Sequence, residues 1–119
     1  MRVAGIGGMA ELVIVAGVAH AAAVKEQLAA INLSAAILLE PEARDSAAAI
    51  AAACAWIEAR DKDGVAIVVA SDHHVPDANA FRAAMEIAAQ AADGGVIVTL
   101  GIAPTSPNTA YGYIDPGAA

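Results

Sequence analysis

Cysteine, aromatic rings and positive charge are all scarce in this chain of 119 residues. The single cysteine, Cys54, excludes an internal disulfide and fits a reducing compartment. Its alanine-rich helical surroundings predict a buried, inert thiol. Aromatics make up 3 % of the residues, so the core has to be aliphatic. Six basic residues stand against thirteen acidic ones, for a net charge of −7. That leaves no Lys/Arg patch and excludes nucleic acid and anionic membrane as partners. An acidic chain can still take a phosphate ligand through backbone N–H groups, helix N-termini and Mg²⁺. No uninterrupted apolar run reaches the ~18 residues that span a bilayer. Arg2 ahead of an apolar stretch raises a signal peptide, but Glu11 interrupts the stretch and a Val/Ile-rich segment follows. The expected location is the cytoplasm.

What is abundant is apolar, at 59 %, with alanine dominating. The length fits one domain, 1–119, able to bury roughly two-thirds of its unfolded surface. Strand-like and helix-like segments alternate with short joints. "LVIVAG" (12–17), "AAILLE" (35–40), "VAIVVA" (65–70) and "VIVTLGI" (96–102) read as buried strands, with a short one around Tyr111 to Ile114. Helices are expected over 20–30, with Val24, Leu28 and Ile31 on one face, and over 46–59, with a stripe of Ile50, Cys54 and Ile57. A third is expected over 78–92, with Phe81, Met85 and Ala88 inward. Asp45 or Ser46 can cap the second helix, Asp77 the third, and Gly94 and Gly95 end the third. Strands apolar on both faces and separated by helices indicate right-handed βαβ units: an α/β fold with a mostly parallel sheet. In such sheets ligands bind beyond the carboxyl ends of the strands. "EPEARDS", "SDHHVPD" and "APTSPNTAYGY" follow strands two, three and four, so all three are expected to open on one rim.

Each rim motif carries a chemistry and a plainer alternative. "GIGGMA" (5–10) fits a permissive dinucleotide pattern, but a strand should precede it and a helix follow. The order here is reversed, so a flexible lead-in is the better reading. In "SDHH" an extended chain puts Asp72 and His74 on one side and His73 on the other. Zinc would want further His or Cys ligands, and His20 belongs to a different helix. A carboxylate at a strand end suits Mg²⁺, which takes one or two carboxylates plus substrate phosphates, or it merely caps the next turn. "EPEARDSAAAIA" (40–51) places an arginine at a helix N-terminus, which attracts anions. A glutamate there can accept the N1–H and N2–H₂ donors of guanine, and the alternative is a surface turn with Arg44 in water. The glycine within "NTAYGYI" (108–114) marks either a close backbone approach to a ligand or a bulge on an edge strand.

Together these segments resemble the bacterial mannose-1-phosphate guanylyltransferases. "HAAAVKEQL", "ILLEPEARDSAAAIAAA", "VVASDHHVPDANAF" and "GVIVTLGIAPTSPNTAYGYI" are similar to that family's E-P-x-x-R-[DN]-[ST]-A, A-D-H-x-I-x-D and G-I-x-P-T-x-P-x-T-G-Y-G-Y-I patterns and their surroundings. The resemblance covers about residues 10 to 117. It implies a Rossmann-like three-layer αβα fold of the nucleotide-diphospho-sugar transferase type. The implied reaction is GTP plus mannose 1-phosphate giving GDP-mannose and pyrophosphate, with Mg²⁺ as cofactor. By motif match, Glu40, Pro41, Arg44 and Ser46 would border the nucleotide, Asp72 would hold Mg²⁺, and Thr109, Tyr111 and Gly112 would line the sugar site. Nothing here matches the family's G-G-x-G-T-R-x-x-P loop, Ser46 stands where threonine is usual, and Ala110 stands where glycine is usual. The expectation is therefore an incomplete nucleotidyltransferase domain, lacking the first strand and loop and the later sugar-phosphate segments, and inactive alone. The alternative is a non-catalytic remnant acting as a weak nucleotide-sugar-binding or oligomerisation module. An exposed sheet edge would favour homo-oligomers in either case.

Overall fold

The computed structural model describes residues 6–115 and 117. Strand β1 (Val13–Gly17) leads through a short 3₁₀ turn (Val18–His20) into helix α1 (Ala21–Ala30) and then strand β2 (Ala36–Glu40). Helices α2 (Asp45–Glu58) and α3 (Ala78–Ala92) follow. β1 and β2 pair in parallel, from Val13 opposite Ala36 to Gly17 opposite Glu40. The parallel βαβ unit of an α/β, Rossmann-like fold is thus present, in incomplete form.

Local chemistry accounts for the ends of these elements. Asn32 takes the left-handed conformation (φ 51°) just past α1, where its N–H donates to Ala29 O and the N–H of Leu33 donates to Leu28 O. That is a Schellman closure with asparagine in the place glycine usually takes. Asp77 caps α3, its Oδ1 accepting from the N–H groups of Asn79 and Ala80 at 3.0 and 2.9 Å. Gly95, at φ 83°, ends the same helix, as the sequence predicts. α2 differs from expectation. Neither Asp45 nor Ser46 caps it; Arg44 occupies the cap position without a side-chain hydrogen bond, and Asp45 itself sits at φ 58°. Aspartate tolerates that region better than most residues, because its short polar side chain can bond locally.

α2 packs against both strands, which makes it the principal cover of the sheet. It turns Ala49, Ala53, Trp56 and Ile57 inward, while Ile50 and Cys54 face out, so the expected stripe is displaced by one residue and the thiol is exposed. With alanine on every face, the large Trp56 ring decides the rotation; Arg60 lies 3.5 Å above it. Val24 and Leu28 of α1 turn inward as expected, but Ile31, past the helix end, is 54 % exposed. The buried apolar core of the described residues is Ile6, Leu28 and Met85. Ile6 belongs to the lead-in, which is therefore packed rather than loose. A Cβ at Gly7 would lie 3.7 Å from Glu86, placing this segment on α3; Gly5 of the same motif lies outside the described residues.

The expected strands at 65–70, 96–102 and 111–114 do not form. Ile97 and Ile102 are 97 % and 91 % exposed. Their composition is right for strands, but a parallel strand also needs a partner brought alongside by a crossover and cover on both faces. The consequence is an open molecule. Its accessible surface is 9258 Å², against about 5,900 Å² for a compact monomer of this mass. No helix among the described residues is long and apolar enough to cross a membrane.

Candidate functional site

Parallel pairing brings the carboxyl ends of β1 and β2 side by side. Gly17 therefore faces Glu40, and His20 packs beside Gly17, 3.7 Å from where its Cβ would be. The chain leaves β2 through Pro41 and enters α2 four residues later, so Glu40, Pro41, Arg44 and Ser46 follow one another around this rim. Glu40 is half-buried, and the other three are exposed. Arg44 donates to Glu42 at 2.9 Å, an ion pair with both side chains more than 70 % exposed, so screening leaves it little energy. Because no side chain caps α2, its first N–H groups stay available at the rim, where they favour an anion.

Asp72 lies in a turn at Ser71–Asp72 instead of at the end of a strand. The side-to-side alternation expected of Asp72, His73 and His74 is accordingly lost. No group of three potential ligands to a metal forms among the described residues. The Asp72 carboxylate is exposed and has no ion-pair partner among them. As a hard, open oxygen donor it fits Mg²⁺ only as one ligand, with phosphates and water supplying the rest.

The third segment is organised by its own contacts. Asn108 Oδ1 accepts the N–H of Ala110 at 2.9 Å, and the carbonyl of Asn108 accepts the N–H of Tyr111 at 3.4 Å. The phenol of Tyr113 closes the same turn from the other side: it accepts the Asn108 N–H at 2.6 Å and donates to the Asn108 carbonyl at 3.2 Å. Thr109, Tyr111 and Gly112 lie on this turn, all exposed, and a Cβ at Gly112 would meet nothing within 4 Å. The glycine thus belongs to an open turn and not to a bulged edge strand. Sequence reasoning missed Asn108 and Tyr113, although an asparagine ahead of a turn is a readable Asx signal.

Of the three motif segments, 40–46 directly continues a strand of the sheet. None of Glu40, Arg44, Ser46, Asp72, Thr109 and Tyr111 shares a hydrogen bond or ion pair with another of the six. Two cavities lie elsewhere. One, about 410 Å³, opens at the amino ends of the strands between Met9, Leu12, Leu33 and Ala36. The other, about 250 Å³, lies beside Cys54, Ile57 and Lys62.

A family model described as "Nucleotidyl transferase" matches residues 2–119. The protein named "Xanthan biosynthesis protein XanB" of Xanthomonas campestris pv. campestris (strain B100) is 44 % identical over 107 residues, which is 89 % of this chain and 23 % of that protein. A "Putative mannose-1-phosphate guanylyltransferase" of Vibrio cholerae is 40 % identical over 92 % of this chain and 23 % of its own length. "Alginate biosynthesis protein AlgA" of Pseudomonas aeruginosa is 41 % identical over 90 % of this chain and 22 % of its own length. The chain thus spans under a quarter of the relatives it matches. No solved structure matches it.

Proposed function

This chain belongs to the nucleotidyl transferase family, and on that premise we propose that it is the nucleotide- and sugar-contacting part of a mannose-1-phosphate guanylyltransferase. In the proposed reaction a phosphate oxygen of mannose 1-phosphate attacks the α-phosphorus of GTP. The new P–O bond gives GDP-mannose, and the bond to the β-phosphate breaks to release pyrophosphate. Such a displacement rests on positioning and charge stabilisation. Glu40 accepts the guanine N1–H and N2–H₂ donors, and the uncapped start of α2 with Arg44 and Ser46 borders the nucleotide. Thr109, Tyr111 and the Gly112 backbone meet the sugar. Asp72 would hold Mg²⁺, which supplies compensation of phosphate charge when bound. A nucleoside triphosphate substrate and an unpaired thiol both go with a cytoplasmic location.

The observation that carries this reading is the parallel register that ends in Gly17 opposite Glu40, directly ahead of an uncapped helix. Its test is base discrimination. Isothermal titration with GTP and ATP should show preference for GTP, and Glu40→Gln should erase about 10-fold or more of it, since an unpaired polar group in a specific site costs about 1–3 kcal/mol. Equal affinities for the two nucleotides in the unaltered chain would sink the guanine assignment. The 119 residues contain no glycine-rich loop with its arginine and lysine, so GTP uptake without turnover is the expected behaviour of this chain.

A second reading rests on the bare apolar segments 65–69 and 96–102, whose side chains are more than a third exposed at Val68, Ile97, Leu100 and Ile102. Surface of this kind drives self-association. Sedimentation should therefore show a dimer or larger species that dissociates in Ile97→Lys/Ile102→Lys. A wild-type monomer at all concentrations would remove this reading.

A further inference from the structure

We propose that Tyr113, which the resemblance does not place in the site, is a positioning residue for the sugar half of the ligand. Its phenol is the clasp that holds the 108–112 turn. The inference rests on the reading above, in which this turn meets the sugar of a nucleotide-sugar. Three observations support it. The phenol engages one residue twice, taking the Asn108 N–H at 2.6 Å and giving its own proton to the Asn108 carbonyl at 3.2 Å. Asn108 also holds Ala110 through its side-chain oxygen and Tyr111 through its carbonyl, so its backbone N–H, its carbonyl and Oδ1 are all committed to this turn. The clasp uses neither the Thr109 hydroxyl nor the Gly112 backbone; both residues are exposed, and a Cβ at Gly112 would meet nothing within 4 Å.

Burial does not explain this geometry. Tyr113 is 58 % and Tyr111 72 % exposed, so no packing forces the phenol back over the turn. The regular ladder expected for 111–114 is missing, and these short-range bonds are what order the segment. A turn ordered in advance spares the ligand the entropic cost of ordering it. A sugar presents hydroxyls whose recognition depends on donor and acceptor placement, so its affinity should follow the state of the clasp. The guanine and triphosphate contacts lie on other segments and should not.

The test is Tyr113→Phe in the full chain, which removes one oxygen from an exposed ring and keeps its bulk. Hydrogen exchange at the Asn108 amide should quicken about 10-fold. Affinity for GDP-mannose should fall about 10-fold while that for GTP stays within a factor of two. Unchanged Asn108 exchange overturns the clasp, and an equal loss for both ligands overturns the positioning role. A wild-type chain whose Asn108 amide is protected but which takes up no GDP-mannose refutes the functional reading, and the positioning claim with it, while the clasp is read separately by the exchange rates.

Discussion

Met85→Ala is expected to melt α3 away from the rest of the protein, at a cost of about 2–5 kcal/mol. The size follows from how little else is buried. Ile6, Leu28 and Met85 are the buried apolar side chains among the described residues, and Met85 lies at the centre of the inward stripe of α3, with Phe81 and Ala88 one turn away on either side. The lead-in reaches the same helix through Gly7 and Glu86, so the truncation also loosens the Ile6 contact surface. Domains in general hold only about 5–15 kcal/mol in total. An open molecule sits low in that range, and the loss would consume much of it. Urea unfolding followed by circular dichroism should move its midpoint down by 1 M or more, taking a slope of about 1–3 kcal/mol/M. Ile87→Ala, two positions away and 69 % exposed, should stay within about 0.5 kcal/mol. Equal effects of the two substitutions would mean that Met85 is not core.

The contrast between these two positions shows what kind of information the sequence carried. α3 is the helix whose apolar residues are separated by polar ones, Asn79, Arg82, Glu86 and Gln90, so its inward face could be read directly and its bounds matched. α2 offered alanine on all sides, and there the period said helix without saying which face. The rotation came from one ring, Trp56, and Cys54 ended up outside. Strands followed the same division. The composition of 65–70 and 96–102 carried β propensity, which is local, but ladder formation requires a second chain segment and a covering layer, and neither is a property of the six or seven residues themselves. β1 and β2 succeeded because α1 is the crossover that joins them and α2 covers them both.

The site divides along the same line. Residues 40–46 lie at the strand-to-helix joint that the periodicity marks. The turn around Asp72 and the turn around Asn108 were legible as polar insertions but not as shapes. The sequence puts Asp72 at a strand end and Tyr111 to Ile114 in a short strand, whereas the one is a simple turn and the other is held by side-chain-to-backbone bonds. Family patterns imply Thr109, Tyr111 and Gly112 as points of contact. They do not reveal that Tyr113 closes the turn carrying them, because a clasp formed between residues five apart leaves no periodic trace.

Asp72→Ala is expected to lower the affinity for GTP in the presence of Mg²⁺ by about 100-fold, and to leave Mg²⁺-free binding nearly unchanged. The carboxylate is exposed and without an ion-pair partner among the described residues, so its removal breaks no ion pair there. Any change must come from charge that arrives with the ligand. A unit charge pair at about 4 Å is worth about 1 kcal/mol in bulk water and about 4 kcal/mol at an effective dielectric of 20. The lower limit describes an open rim, and the upper one a rim partly closed over by the nucleotide; the midpoint corresponds to roughly 100-fold. Two comparisons separate a metal role from general repulsion of phosphate. Without Mg²⁺ the bare carboxylate repels the triphosphate, so the substitution should be neutral or slightly favourable there. With Mg²⁺ the sign must reverse. His74→Ala, two residues on in the same segment, should not reproduce that reversal, because imidazole nitrogen is a poor ligand for so hard a cation. Calorimetric titration across Mg²⁺ concentrations therefore reads the role of Asp72 from a change of sign, and parallel curves for wild type and Asp72→Ala would remove the metal from this position.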